Sequence, residues 1–420
     1  MHSNRQIKRI YFSLELLNWL SVALPLPFIV LFMQARGLDL FQIGLVNGLY
    51  AVTIVVLELP TGGMADAIGR KPVTVLSYIA TALASLTFLF AFSLPVFAIA
   101  WVFLGVGRAL ASGALNAWFI DSLLELDPEA DLQPALAQAS SFSIAGLSLG
   151  TLIGGVIPKL FAFLPADGTA VFSPLSMTIF FALLLKLLNT FLLLIWVKEG
   201  KREKAGAVFS LHSVRDILSE SVSLAARKPI IRLLLLGSFF SLLALTSIET
   251  FWQAQFSRWL EPQNSLLFGT IMMVAFLMGV IGNLGSIPLS QVMGKRYGLV
   301  AALSQIIASL AIILLAMQQG PWLASACFWL YYLAVALTGS PVATLFNQEI
   351  PSQMRSSMQS VMSLVGYAGA FVGSVGLGWV AKQASVASAW RIAGALLFIS
   401  VMVYVQIDRL AKPQERLSET

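Results

Sequence analysis

Residues 62–71 read Gly62-Gly63-Met64-Ala65-Asp66-Ala67-Ile68-Gly69-Arg70-Lys71, and they join two long apolar stretches. So short a connection carries an acid, a turn glycine and two adjacent bases. Asp66 can cap the helix that follows or sit at a helix end through its dipole. Gly69 permits a tight turn. Arg70 and Lys71 favour the cytoplasmic face of a membrane. A chain that spends this much charge on a turn between apolar runs gives that turn a task.

The composition sets the class. The chain has 420 residues, 58% of them hydrophobic and only 11% charged, whereas soluble domains carry roughly 25% charged residues. That much apolar surface requires lipid around it. The single cysteine, Cys327, excludes a disulfide framework. The two histidines, His2 and His212, both lie outside the apolar runs, so no histidine metal or catalytic centre exists inside the membrane. The formal charge of +6 suits topology and anionic headgroups rather than nucleic acid. No Gly-rich phosphate loop ending in Lys-Ser/Thr occurs, which argues against ATP as the driving force.

Apolar runs of about 20 residues predict crossings near 10–33, 43–60, 73–92, 97–121, 135–163, 174–197, 230–256, 266–289, 298–317, 322–348, 358–381 and 388–407. The first is too long for a signal-peptide core, carries Glu15 and ends in no small-residue cleavage site. The polar segment 198–229 divides six spans from six, giving an N-terminal region 1–197 and a C-terminal region 230–420. Most of the 26 Lys and Arg fall in termini and loops on one side, against Arg36, Lys159, Arg258, Lys382 and Arg391 on the other. This asymmetry predicts both termini in the cytoplasm, and the expected location is the plasma (inner) membrane.

The halves echo one another at an offset of about 225 residues, the pattern of a chain built from two parallel repeats. Gly69-Arg70-Lys71 corresponds to Gly294-Lys295-Arg296, and Asp121 corresponds roughly to Glu349. Gly146, Gly150, Gly154 and Gly155 in span 5 have their counterpart in Gly366, Gly369, Gly373 and Gly376 of span 11. Glycines at i, i+4 and i+8 line one helix face and let another helix approach closely.

Gly62, Asp66, Gly69, Arg70 and Lys71 match the loop 2–3 signature that the first half resembles, that of the major facilitator superfamily; Met64 stands for its Leu and Ala67 for its first Arg. The resemblance implies an all-α integral membrane fold of twelve transmembrane helices in two six-helix bundles, with the substrate site between the halves. It also implies a cytoplasmic gate in which Arg70 pairs with Asp121 and Asp66 meets the inner end of span 11. The alternative for Asp121 is an ordinary interfacial acid. The string Gly150-Thr151-Leu152-Ile153-Gly154-Gly155 resembles the antiporter signature of drug–proton exporters, with Thr151 in place of its Pro and Ala137 where its first Gly would be. Close packing alone is the other reading of these glycines.

Ionisable residues inside spans are costly and face a bundle interior or a watered cavity. Arg108 heads a span-4 stripe with Ser112 and Asn116 at four-residue steps; an arginine in span 4 resembles the family's proton-coupling residue, and a structural ion pair is the alternative. Glu15, with Asn18 and Trp19 on its face, and Glu249, with Thr246 and Gln253, are the acids well inside spans. Either carries a proton or neutralises Arg108 or Lys186. Lys186 in span 6 is too deep to snorkel, and no role follows for it. Asn18, Asn116, Lys186 and Gln253 are the candidate cavity residues.

The expectation is a secondary carrier without cofactor, driven by the proton gradient and acting as a monomer on a small molecule. Efflux of a lipophilic compound or drug by antiport comes first. A symporter for a small or anionic metabolite is the runner-up. An integral-membrane enzyme or lipid-handling protein would need a reactive constellation at one membrane face, and no His or Cys supplies one.

Overall fold

The computed structural model describes residues 3–62, 64, 68–111, 113–199, 219–221, 223–261, 264–351 and 354–418. Asp66, Ser112 and residues 200–218 of the polar segment lie outside them.

The chain enters its first helix through a capping box. The Ser3 hydroxyl accepts the Gln6 N–H at 3.3 Å, and the Gln6 side chain accepts the Ser3 N–H at 2.9 Å, satisfying two donors that a helix start leaves open. Helix α1 (Asn4–Ala23) stops before Pro25 and Pro27, and α2 (Ile29–Ala35) completes the crossing. Prolines supply no backbone N–H, so two of them close together end a helix. Helices α3 (Leu40–Gly62) and α4 (Arg70–Leu89) follow on either side of the charged turn. The fourth crossing is also broken: α5 (Leu94–Leu110) and α6 (Ala114–Leu124) meet at Gly113, which is left-handed at φ 84°, a conformation suited to glycine. The remaining helices are α7 (Gln133–Leu160), α8 (Ser176–Trp196), α9 (Pro229–Phe256), α10 (Ser265–Val292), α11 (Tyr297–Ala316), α12 (Pro321–Glu349), α13 (Arg355–Gln383) and α14 (Val386–Ser418).

Eleven helical stretches among the described residues are long and apolar enough to cross a membrane, α5 and α6 counting as one. The broken α1–α2 segment, charged near its start, makes the twelfth. The protein is an all-α, multi-pass membrane protein with twelve transmembrane helices in two six-helix bundles.

Its contacts sort into two compact units. The first holds residues 1–38, 56–210 and 262–273; the second holds 39–55, 211–261 and 274–420. Within the first, α1 packs on α6, α7 and α8, and α4 packs on α5, α6 and α8. Within the second, α9 packs on α12, α13 and α14, and α11 packs on α12 and α14. The first, third, fifth and sixth crossings of each half therefore find the same partners, which is the repeat that the sequence shows only faintly.

Glycines set the closest approaches. A Cβ on Gly146 would lie 2.6 Å from the Leu16 carbonyl, and one on Gly150 would lie 2.6 Å from the Ala23 Cβ. Gly154 faces the Leu24 carbonyl in the same way. In the second unit Gly366, Gly369 and Gly373 of α13 lie against Ser238, Phe239 and Leu243 of α9. The fifth crossing thus lies on the first in each half with no side chain of its own at these glycines. Aromatic packing fills the space around these seams: the Tyr11 and Phe119 rings stack at 4.1 Å, and Trp252 and Trp390 are fully buried.

Arg36, at the end of α2, is a buried structural hub. Its guanidinium donates to the carbonyls of Phe88, Leu89 and Ala91 at 2.8–3.0 Å and to those of Ala170 and Val171 at 3.1–3.3 Å. It also lies over the Phe32 and Phe92 rings at 4.3 and 4.1 Å. The carbonyls at the end of α4 have no partner within their own helix and carry its negative dipole end, so a cation suits them. Burial lowers the guanidinium to about 10, which leaves it charged at neutral pH.

Candidate functional site

A polar cluster crosses the interior of the first unit. The Glu15 carboxylate accepts the Trp19 indole N–H and the Ser143 hydroxyl, each at 2.9 Å. One bond is local, at i+4 on α1; the other ties α1 to α7 across the glycine seam. Lys186 of α8 is 2% exposed. Its ammonium donates to Asn18 Oδ1 at 2.5 Å and lies 4.7 Å from the centre of the Tyr78 ring. Glu15 lies within electrostatic reach of that ammonium. One turn further along α8, Asn189 donates to the Leu14 carbonyl at 3.1 Å. The Tyr11 hydroxyl donates to Asn116 Oδ1 at 3.2 Å. Glu15, Asn18 and Lys186, singled out separately in the sequence, therefore form one site, with Asn116 attached through Tyr11.

Arg108 stands apart from this cluster. It occupies the last turn of α5, exposed, and the Glu15 oxygen contacts go to Trp19 and Ser143 instead. The break at Gly113 interrupts the four-residue stripe that the sequence drew through Arg108 and Asn116, because a left-handed residue changes the helix phase.

The charged turn is built at the start of α4. Gly62 closes α3, and Gly69 precedes α4 with φ 103°. The Arg70 Nε lies 2.9 Å from Asp121 Oδ2. The Lys71 ammonium donates to the Leu194 carbonyl at the end of α8, at 2.8 Å. A further acid occupies the helix start: Glu199 accepts the backbone N–H groups of Arg70 and Lys71 at 2.7 and 3.2 Å. A Cβ on Gly69 would lie 2.8 Å from a Glu199 oxygen, so the glycine serves the carboxylate as well as the turn.

The corresponding loop of the second unit is wired differently. Arg296 pairs with Asp408 of α14, Nη2 to Oδ2 at 2.5 Å and Nε to Oδ1 at 3.4 Å, and that hydrogen bonding holds the guanidinium above its usual value. Glu349, the sequence counterpart of Asp121, pairs with Lys228 at 3.3 Å.

The glycine seam divides in two. Gly146, Gly150 and Gly154 face α1, while Gly155 faces Ser265 and Gly269 of α10. The Ser265 hydroxyl donates to the Gly155 carbonyl at 2.8 Å.

In the second unit Glu249 is exposed on α9, and its carboxylate accepts the Tyr332 hydroxyl at 3.2 Å. Gln253, one turn on, is buried. The Tyr332 ring packs in turn on those of Phe276, Phe328 and Tyr331. No group of three His, Cys, Asp or Glu side chains placed to hold a metal occurs among the described residues.

Twelve crossings in two like halves, a charged 2–3 turn and polar clusters inside the bundles define a membrane carrier. The chain belongs to the Major Facilitator Superfamily, whose family model matches residues 11–374. It is 21% identical over 407 residues, 96% of either chain, to an uncharacterized MFS-type transporter, YxaM, of Bacillus subtilis (strain 168). The structure of the nucleoside transporter NupG superposes with a TM-score of 0.73 over 97% of this chain and 99% of that one, at 13% identity. A bacterial homolog of the human lysosomal transporter Spinster, solved inward-facing and unoccupied, gives 0.73 over 97% of both chains at 14% identity. The protein is a membrane transporter of this type.

Proposed function

We propose that the chain is a proton-coupled secondary carrier that exports lipophilic small molecules across the plasma membrane, with both termini in the cytoplasm and no cofactor. The observation that carries this reading is the Glu15 cluster. A carboxylate of α1 bonds to Ser143 on the glycine-seam helix and lies within electrostatic reach of the buried Lys186. A group that binds a proton in one state and releases it in another needs partners that can change between states. Glu15 carries the proton, while Glu249 meets substrate or gates the outer side. Arg108 assists coupling. Gly62, Asp66, Gly69, Arg70, Lys71 and Asp121 act as the cytoplasmic gate. The bundles 1–197 and 230–420 are the moving bodies, joined by 198–229. The resemblance of residues 150–155 to the antiporter signature supports export, and the chain works without chemical conversion of its cargo.

A second reading has its own observation. The hydrogen-bond acceptor of the buried Lys186 ammonium is the neutral side chain of Asn18, an arrangement that would suit an anionic metabolite carried by symport.

Proteoliposomes separate the two. Antiport draws substrate into vesicles with an acidic lumen; symport draws it into vesicles with an alkaline lumen. The expected result is accumulation of a lipophilic compound in acid-lumen vesicles only. Flux of every compound in a drug and metabolite panel that ignores the pH gradient in both senses rejects proton coupling.

A further inference from the structure

We infer that the exposed Glu249 carboxylate and the cluster of α10 and α12 aromatic rings built on its partner Tyr332 form a binding site for a lipophilic organic cation. This rests on the carrier reading above and names its substrate class.

The site lies wholly within the second unit. Glu249 projects from α9 and is exposed. A carboxylate facing hydrocarbon is strongly disfavoured, so an accessible acid in mid-helix faces water or a ligand. Its hydrogen bond to the Tyr332 hydroxyl uses one of several acceptor positions on the two oxygens. The remaining acceptor capacity is free for a second partner.

The surroundings are selective for positive charge. The Tyr332 ring meets Phe276 edge-on at 6.3 Å and 89°, Tyr331 at 5.8 Å and 89°, and Phe328 at 5.0 Å. Behind them, Trp252 of α9 lies 5.3 Å from Phe328. Ring faces carry negative charge density and attract cations, most of all poorly hydrated ones such as quaternary ammonium or phosphonium groups. A carboxylate at the edge of such a cluster adds the full charge. The same walls offer a bulky apolar cation its desolvation partners.

A second observation points the same way. Tyr331 is fully buried, its hydroxyl has no hydrogen-bond partner among the described residues, and it feels the Glu249 charge. Buried hydroxyls are normally satisfied, and an unsatisfied one beside an acid and an aromatic cluster marks a site built to hold something more. The charged group shown at these rings is the acid.

The test uses two ions of one shape and opposite charge, tetraphenylphosphonium and tetraphenylborate. Binding of each to the purified full chain in nanodiscs is measured by equilibrium dialysis, with empty nanodiscs subtracted. Saturable phosphonium binding is expected, weakened about tenfold or more by Glu249→Gln and several-fold by Tyr332→Ala, with Tyr332→Phe close to wild type because the ring does the binding. Tetraphenylborate should not saturate on wild type. Phosphonium binding that is unchanged by Glu249→Gln overturns the proposal, as does equal binding of the two ions. If Glu249→Gln is not recovered as monodisperse protein, Tyr332→Ala and Phe276→Ala decide by the same criterion.

Acid-lumen vesicles keep this site distinct from the carrier reading. Phosphonium bound as expected but not moved by a pH gradient leaves the site standing and removes proton-driven export. Gradient-driven flux of other compounds with no phosphonium binding removes the site and leaves the carrier.

Discussion

The Glu199 carboxylate accepts the Arg70 main-chain N–H at 2.7 Å. An acid that follows the sixth crossing thus caps the start of the third. The second half reaches a related end by another route: Asp408 of the twelfth crossing lies against Gly298 in the first turn of the ninth and takes the Arg296 guanidinium. In both halves an acid in or just after the sixth crossing meets the start of the third helix, where the positive end of the helix dipole favours one.

Glu199→Gln keeps the shape and removes the charge from two main-chain bonds. A loss of about 1–2 kcal/mol is expected, since charge-assisted bonds and helix-end charges are each worth about that or less. Thermal unfolding in detergent measures it. A melting temperature equal to wild type at low salt would show that the contact contributes nothing.

Arg70→Ala should cripple transport and leave expression near normal, because the Arg70–Asp121 pair is partly exposed (16% and 36%) and such pairs contribute little to stability, about 0–1 kcal/mol. The exchanged double variant Arg70→Asp with Asp121→Arg should regain part of the activity. Full transport by Arg70→Ala alone sinks the gate.

Glu15→Gln retains the acceptor for Trp19 and Ser143 but cannot ionise. Transport driven by a pH gradient should vanish, while substrate binding persists and loses its pH dependence. If Glu15→Gln transports normally and Glu249→Gln is dead, the two acids exchange roles. If both remain proton-driven, neither acid is the proton carrier.

Arg36→Ala should be among the most damaging substitutions on the loop side of α2. Five carbonyls lose their donor, and buried acceptors left open cost about 1–3 kcal/mol each where water cannot replace the donor. The expected outcome is poor recovery or a melting temperature lower by many degrees. Arg36→Lys should rescue only in part, because one ammonium cannot reach both groups of carbonyls. Wild-type stability of Arg36→Ala would show that water satisfies them.

Asp39 and Lys382 pair at 2.7 Å, the aspartate side chain 35% exposed. Burial raises the carboxyl, but the Lys382 ammonium and the Gln42 and Phe41 backbone N–H groups outweigh it and hold Asp39 below its usual value. A carboxylate depressed in the folded state stabilises above its unfolded value, about 3.9, and that stability is lost as pH falls below it. Exposure limits the gain to under about 1 kcal/mol. Asp39→Asn should therefore be slightly less stable than wild type at neutral pH, with the difference closing in acid. A difference that stays constant from pH 7 to pH 3 is inconsistent with the ion pair.

Much of this is legible in the chain because it is local or periodic. Residues 62–71 place the second and third crossings, and Gly146, Gly150 and Gly154 mark one helix face, which the structure lays on α1. Glu15 and Asn18 share a face by spacing alone. What escapes a reading of the chain depends on distance along it. Lys186 reaches Asn18 across 168 residues, and nothing near Lys186 announces that partner. Glu199 reads as the start of a polar linker until the end of α8 returns to the start of α4. Asp408 reads as an interfacial acid until it meets Arg296. The helix breaks have local signals, Pro25 with Pro27 in the first crossing and Gly113 in the fourth, yet the apolar runs 10–33 and 97–121 continue through both and hide them.

The seam between α1 and α7 has a mechanical consequence. The bare α7 backbone at Gly146, Gly150 and Gly154 rests on Leu16, Leu20 and Ala23 of α1 and on Leu24 at its end, so a slide or roll of either helix meets a close contact. The two behave as one stiff beam, and Glu15 and Ser143 are fixed to it together. Any motion that shifts α1 therefore carries the acid and its hydroxyl donor as a set. Lys186 is mounted on α8 and joins the beam through its bond to Asn18, so a shift of α8 against the beam is felt at that bond.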